Sequence, residues 1–236
     1  MTSIISPLVC GIKNISSHGF RSLPVLLSTT VLVLGMSQGN INLLFFFVGL
    51  AILSPLSSFI INVLWELLFS NTPSWATIPE HLWKVDAASA EACSLFTTNV
   101  SKLPETMTVV PSYWLTMMSF FFTYLFLNAK NLYDKQSSSK ASQIAVDARK
   151  NQTMISMIIL CIAGLIFTLI RYSTSCESGL GVIVSWALGG GVAFGWYTFM
   201  RQCGLGRLDD IFGISNRLLP MQSYEEPNPS MCVPTQ

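Results

Sequence analysis

An all-α integral membrane protein is the fold this chain predicts, and three observations predict it. Hydrophobic residues make up 51% of the 236 and charged residues only 11%, where soluble domains run near a quarter charged. The apolar residues come in blocks, several of them long enough for a helix of about 20 residues to cross a bilayer. The interiors of the blocks 109–127, 154–172 and 182–200 carry no Asp, Glu, Lys, Arg or His, as the cost of burying charge in lipid demands. The net charge of +1 leaves no basic footprint for nucleic acid.

Residues 1–22 form an N-terminal segment, and 23–36 a short apolar block whose role stays open. Leu23–Met36 makes roughly 21 Å of helix, short of a hydrocarbon core of about 30 Å. It reads as a signal-peptide core with Gly35-Met36-Ser37 at the cleavage spacing, as a short first span, or as a re-entrant segment. Lysine and arginine mark cytoplasmic flanks and separate these cases. If the block does not cross, Lys13, Arg21, Lys130, Lys135, Lys140, Arg149, Lys150, Arg201, Arg207 and Arg217 share a side, opposite Lys84, Lys102 and Arg171. If it crosses, Lys13 and Arg21 change sides. The charge bias favours four spans over five, and both arrangements place the C-terminus in the cytoplasm.

Residues 41–69 form one long span with a kink predicted at Pro55 and Trp65-Glu66 at its headgroup end. The loop 70–108 follows on the non-cytoplasmic side. Its stretch TIPEHLWKVDAASAEACSLF predicts a short ectodomain helix, with a capping box from Thr77 to Glu80 and Pro79 in the first turn. Trp65, Trp75, Trp83 and Trp114 flank this face as an interfacial belt. Residues 109–127 span next, and a basic cytoplasmic loop, 128–153, leads to the span 154–172. The short loop 173–181 and the glycine-rich span 182–200 complete the bundle.

Of the six cysteines, Cys93 and Cys176 fall in the two non-cytoplasmic loops. An oxidising lumen permits a disulfide between them; the other reading makes Cys93 a small packed thiol among alanines. Of three glycosylation sequons, only that at Asn99 is luminal in the four-span arrangement. Ala187, Gly191 and Gly195 recur every four residues on one face of the last span, a small-residue signature of close helix packing. The partner is a helix of the same chain or of another subunit. Asn62, Ser54, Ser57 and Ser58 are hydrogen-bonding groups between helices, and Glu66 and Arg171 reach the interface from span ends.

The motifs that mark chemistry are missing from the sequence. It has no HExxH, no CxxC and no nucleophile elbow, and His18 and His81 lie far apart. The GLG at 179–181 and GGG at 189–191 lack the strand-and-helix context of a phosphate loop. No cofactor and no metal are expected.

Residues 206–220 predict an amphipathic helix. At 100° per residue, Leu208, Ile211, Phe212, Ile214, Leu218 and Leu219 share one face, and Pro220 stops it. Asp209 and Asp210 sit in the first turn, where they complement the helix dipole. The polar face lacks the basic character of a lipid-surface helix, so docking on a protein is the expected role of the apolar one. The tail 221–236, with Pro227, Pro229 and Pro234, predicts an extended peptide that orders against a partner.

The run GWYTFMRQCGLGRLDDIFGISNRLLP and the MCVP that follows resemble the C-terminal region of small multi-span membrane proteins of large double-stranded DNA viruses, especially algal and marine ones. The resemblance covers Gly195 to Pro234. It implies a protein of the virion's internal membrane and assigns no functional residues. The expectation is therefore a non-enzymatic structural membrane protein that joins a bilayer to other membrane or capsid proteins, alone or as an oligomer. A channel or transporter subunit, with a polar path past Asn62, Ser54 and Ser58, and a cellular four-span scaffold are the alternatives.

Overall fold

The computed structural model describes residues 2–69, 84–86, 93, 106–108, 110–134 and 143–203, with the backbone alone described for 2–19, 68–69, 86, 106–108 and 145. Its helices in order are α1 (Thr2–Gln38), α2 (Ile41–Val48), a π-helical turn (Gly49–Leu53), α3 (Ser54–Phe69), α4 (Tyr113–Asp134), α5 (Gln143–Ser173) and α6 (Gly179–Gln202). Two short strands, β1 (Lys84–Asp86) and β2 (Thr106–Thr108), pair antiparallel, with Val85 opposite Met107. Among the described residues four stretches are long and apolar enough to cross a membrane: Phe20–Gln38, Ile41–Leu67, Val146–Ser173 and Gly179–Gln202. The chain is a multi-pass, all-α membrane protein.

Its surface makes the same point. Ile159, Leu165, Leu169, Ile183 and Phe194 each expose more than half of their area, and so continuous an apolar exterior is foreign to soluble proteins. Inside, large aromatic side chains fill the bundle, and α4 is its centre. Trp114, Leu115, Met118, Phe120 and Tyr124 of α4 are all at most 2% exposed, and the helix packs against α3, α5 and α6. Its 22 residues rise about 33 Å, enough to pass through the bundle. Its Tyr, Thr and Ser content makes it less apolar than its neighbours because it faces protein rather than lipid.

The path of α1 decides the number of passes. The Trp114 indole N–H, at the start of α4, donates to the Phe20 carbonyl at 3.0 Å. At the opposite end Gly35 lies against Leu43 and Leu44. Leu23–Met36 therefore runs the height of the bundle within a longer helix, and α4 runs it too. The block Leu23–Met36, left open by the sequence, thus lies in Phe20–Gln38, one of the four stretches able to cross, with Phe20 and Gln202 at opposite ends. The short block was undervalued because Ser28, Thr29 and Thr30 lower its apolar character. Their hydroxyls donate to the carbonyls of Pro24 and Leu26, which hides them from an apolar medium.

The turns follow from particular residues. Gly39 takes φ +60°, which a residue without Cβ adopts at little cost. The N–H groups of Gly39 and Asn40 then return to the carbonyls of Met36 and Gly35, closing α1 with a Schellman motif. The Asn40 side chain next accepts from the Asn42 N–H and caps α2. Past the π turn stands Pro55, whose missing N–H removes one helical donor. The π turn lies just upstream of this proline. In the loop between α3 and α4, Lys84–Asp86 is a strand and not part of the predicted helix. Pairing with Thr106–Thr108, a segment 20 residues away, satisfies its backbone, and a local helical reading does not anticipate such a partner. Thr77, Pro79 and Glu80 lie outside the described residues.

Candidate functional site

The polar groups concentrate where α4, α5 and α6 meet the loop between α3 and α4. Arg171 ends α5, and Glu177 lies in the five-residue connection to α6. Both residues are buried, so neither charge has bulk water beside it. They pair with each other. The guanidinium Nη2 and Nε donate to Glu177 Oε1 at 2.6 and 3.1 Å, and Nη1 donates to the Cys93 carbonyl at 3.0 Å. The pair is almost fully buried, with side-chain exposures of 4% and 0%. The guanidinium carbon also stands 4.7 Å from the centre of the Trp114 ring, a cation–π contact strengthened by desolvation.

Ser112 joins this pair to the bundle. Its hydroxyl donates to Glu177 Oε1 at 2.6 Å, and its N–H donates to Ser185 Oγ at 3.0 Å. Ser119 Oγ donates to the carbonyl of Ser185 at 3.0 Å. One residue before Ser112, the Pro111 carbonyl accepts from the Asn62 amide of α3 at 3.2 Å. Burial pushes the Glu177 carboxyl above the usual carboxylate range, while the Arg171 charge and the hydrogen bonds from Ser112 and Arg171 pull it back. Oε2 has no hydrogen-bond partner among the described residues.

The disulfide fixes the outer side of this cluster. Cys93 and Cys176 are bonded, with Cα atoms 5.6 Å apart at a sequence separation of 83. The bond holds the Cys93 carbonyl over Arg171 and ties the loop between α3 and α4 to the α5–α6 turn. That turn is itself a Schellman closure, with Ser175 at φ 54° and the Cys176 N–H returning to the Arg171 carbonyl. Cys161 and Cys203 are free and exposed. Alkylation in detergent without reductant is expected to modify Cys161 and Cys203 and to spare Cys93 and Cys176. Peptide mass mapping reads the result, and modification of Cys93 or Cys176 before reduction would contradict the bond.

The remaining predicted residues separate clearly. Ala187, Gly191 and Gly195 are exposed, and a Cβ on Gly191 or Gly195 would meet nothing within 4 Å. Among the described residues nothing packs against them. The buried face of α6 is instead Gly181, Ser185, Gly189, Ala193, Tyr197 and Met200. At Gly189 an added Cβ would collide with Ser119 Oγ and the Thr116 carbonyl. Trp114 leaves the predicted interfacial belt for the core, and Arg171 turns inward to Glu177 instead of reaching out to the interface. Asn99 and the docking face Leu208, Ile211, Phe212, Ile214, Leu218 and Leu219 lie outside the described residues.

Sequence reasoning missed Glu177 and Ser112. The available signal was an acid and a base six residues apart around Cys176, in a connection too short to carry them both away from the bundle. Ser112 Oγ does stand beside the Glu177 carboxylate, but the Arg171 guanidinium holds the same oxygen and all three residues are buried. Among the described residues no group of three His, Cys, Asp or Glu side chains is placed to hold a metal. The chemistry of the cluster is mutual neutralisation, which clamps three helices and the α3–α4 loop together. The chain matches no family model, no curated protein and no solved structure.

Proposed function

We propose that the chain is a non-enzymatic structural protein of a membrane, linking the bilayer to a partner protein shell through its C-terminal segment. The observation that carries this reading is the filled interior. Phe46, Phe120 and Tyr124 are all 0% exposed, and their rings stack at centroid distances of 4.7 to 6.2 Å. A continuous conduction path needs room where these rings stand. A bundle closed in this way leaves its two ends to do the work, one held by the disulfide and the ion pair, the other leading into Gly206–Gln236.

With Leu23–Met36 counted as a crossing, the order of the sequence groups Lys130, Lys135, Lys140, Arg149, Lys150, Arg201, Arg207 and Arg217 on the C-terminal side, against Lys13, Arg21, Lys84, Lys102 and Arg171. The positive-inside bias supports a cytoplasmic C-terminus. The likeness of Gly195–Pro234 to viral multi-span proteins supports a virion's internal membrane as the setting and a capsid protein as the partner.

Deletion of Gly206–Gln236 tests the reading. The truncated chain is expected to insert into membranes as the intact chain does, and to be lost from purified particles. Retention at the intact level would remove the docking role. Recovery of the chain from cellular plasma membrane with no virus present would defeat the viral setting.

A further inference from the structure

Most serine and threonine hydroxyls of the described helices follow one habit. Ser28, Thr30, Thr116, Thr153, Thr168 and Thr198 each donate to a carbonyl one turn back in their own helix, the usual shelter for a hydroxyl in apolar surroundings. Ser57 does the same toward the Ser54 carbonyl. Ser54 and Ser58, on either side of it in sequence, do not. Both are 0% exposed, and neither hydroxyl has a hydrogen-bond partner among the described residues.

An orphaned buried hydroxyl costs about 1–3 kcal/mol, and a rotation about χ1 onto the helix's own carbonyls would relieve it. That two serines four residues apart both forgo this relief points to a hydrogen-bonding occupant on their face. Asn62 continues the same spacing and binds Pro111 at the outer end. The π turn and Pro55 lie directly beside Ser54, so the local backbone is also short of a donor, and π turns recur at functional sites. At the inner end Gly49 lies against the rings of Phe120 and Trp196. The Trp196 indole N–H is already donated to the Phe45 carbonyl at 3.0 Å. The polar face is therefore bounded by Asn62 outside and by aromatic rings inside.

We infer that Ser54 and Ser58 form a binding site for ordered water, a hydrated pocket that ends blindly within the membrane. A buried water needs two to four polar partners, and the two hydroxyls supply partners at successive turns of α3. The site belongs to the outer half of the bundle, and the aromatic stack keeps it from becoming a through path.

Radiolytic labelling of the full chain in nanodiscs, in ¹⁸O-water, tests this. Asn62 pairs with Pro111 and Gly49 with Phe120, so the antiparallel register brings Ser54 near the depth of Met117. Met117 is only 6% exposed and is expected to take up label all the same. In S54A/S58A that label falls to background, while label at exposed Met154 is unchanged; S57A retains both. The double variant is expected to melt at or below the wild-type temperature, because it loses hydrated partners and not bare hydroxyls. No label on wild-type Met117, or a double variant that melts higher than wild type, would overturn the site. A melting temperature raised by Na⁺ or K⁺ and made insensitive by S54A/S58A would assign a cation in place of water.

Discussion

Arg171→Ala is expected to destabilise the bundle by about 3–5 kcal/mol, the cost of leaving one partner of a buried ion pair alone. Arg171 and Glu177 are 3% exposed, so solvent has little scope to replace the missing charge. The variant would strand Glu177 Oε1 with Ser112 as its sole donor and would release the Cys93 carbonyl and the Trp114 ring as well. Glu177→Ala is expected to cost a similar amount, since it leaves the guanidinium buried without its counter-charge. The paired replacement R171M/E177L is the informative control. Removing both charges together and filling the volume with apolar groups is often close to neutral, so the double variant should be more stable than either single one. Unfolding of the reconstituted protein in a denaturing detergent series measures all three. A loss below about 1 kcal/mol for Arg171→Ala, the range of a solvated surface pair, would show that water reaches the cluster.

The ion pair also shows where sequence reading stops. That spans exist was legible, because a bilayer demands about 20 apolar residues in a row and the chain supplies them at 41–69, 154–172 and 182–200. Which faces of those spans meet was not. Periodicity singled out Ala187, Gly191 and Gly195 as a packing stripe, yet the neighbouring stripe through Ser185 and Gly189 is the buried one. Both stripes are rich in small residues, and hydropathy does not distinguish lipid from a protein neighbour. Arg171 posed the same ambiguity. A base at a span end can snorkel or can pair, and only the position of Glu177 in the folded turn decides between them. The strand Lys84–Asp86 was illegible for a third reason, since its partner lies across a long loop and leaves no local periodicity. Cys93 and Cys176 were readable as a candidate pair because topology alone put them on one side.

Gly189→Leu provides the sharpest test of the register between α4 and α6. Here the helices approach closely enough that Ser119 donates to the Ser185 carbonyl, and a Cβ at position 189 would strike Ser119 Oγ, the Thr116 carbonyl and the Phe120 amide. Two of those three are backbone atoms of α4, so the collision is not removed by rotating a side chain; the helices must separate. Overpacking of a dense interior costs about 1–3 kcal/mol and occasionally more. Separation would also break the Ser112–Ser185 and Ser119–Ser185 bonds, so the loss is expected at the upper end or as failure to fold. Gly191→Leu, two residues away on the exposed face, is expected to stay within about 0.5 kcal/mol of wild type, as substitutions away from packed features do. Expression level and unfolding of the two variants side by side read the difference. Equal damage from both would mean that the Gly191–Gly195 face is covered in the native assembly, by a second copy or by another protein. Equal tolerance of both would mean that α4 and α6 do not meet at Ser119 and Ser185, and the polar clamp above them would lose its floor.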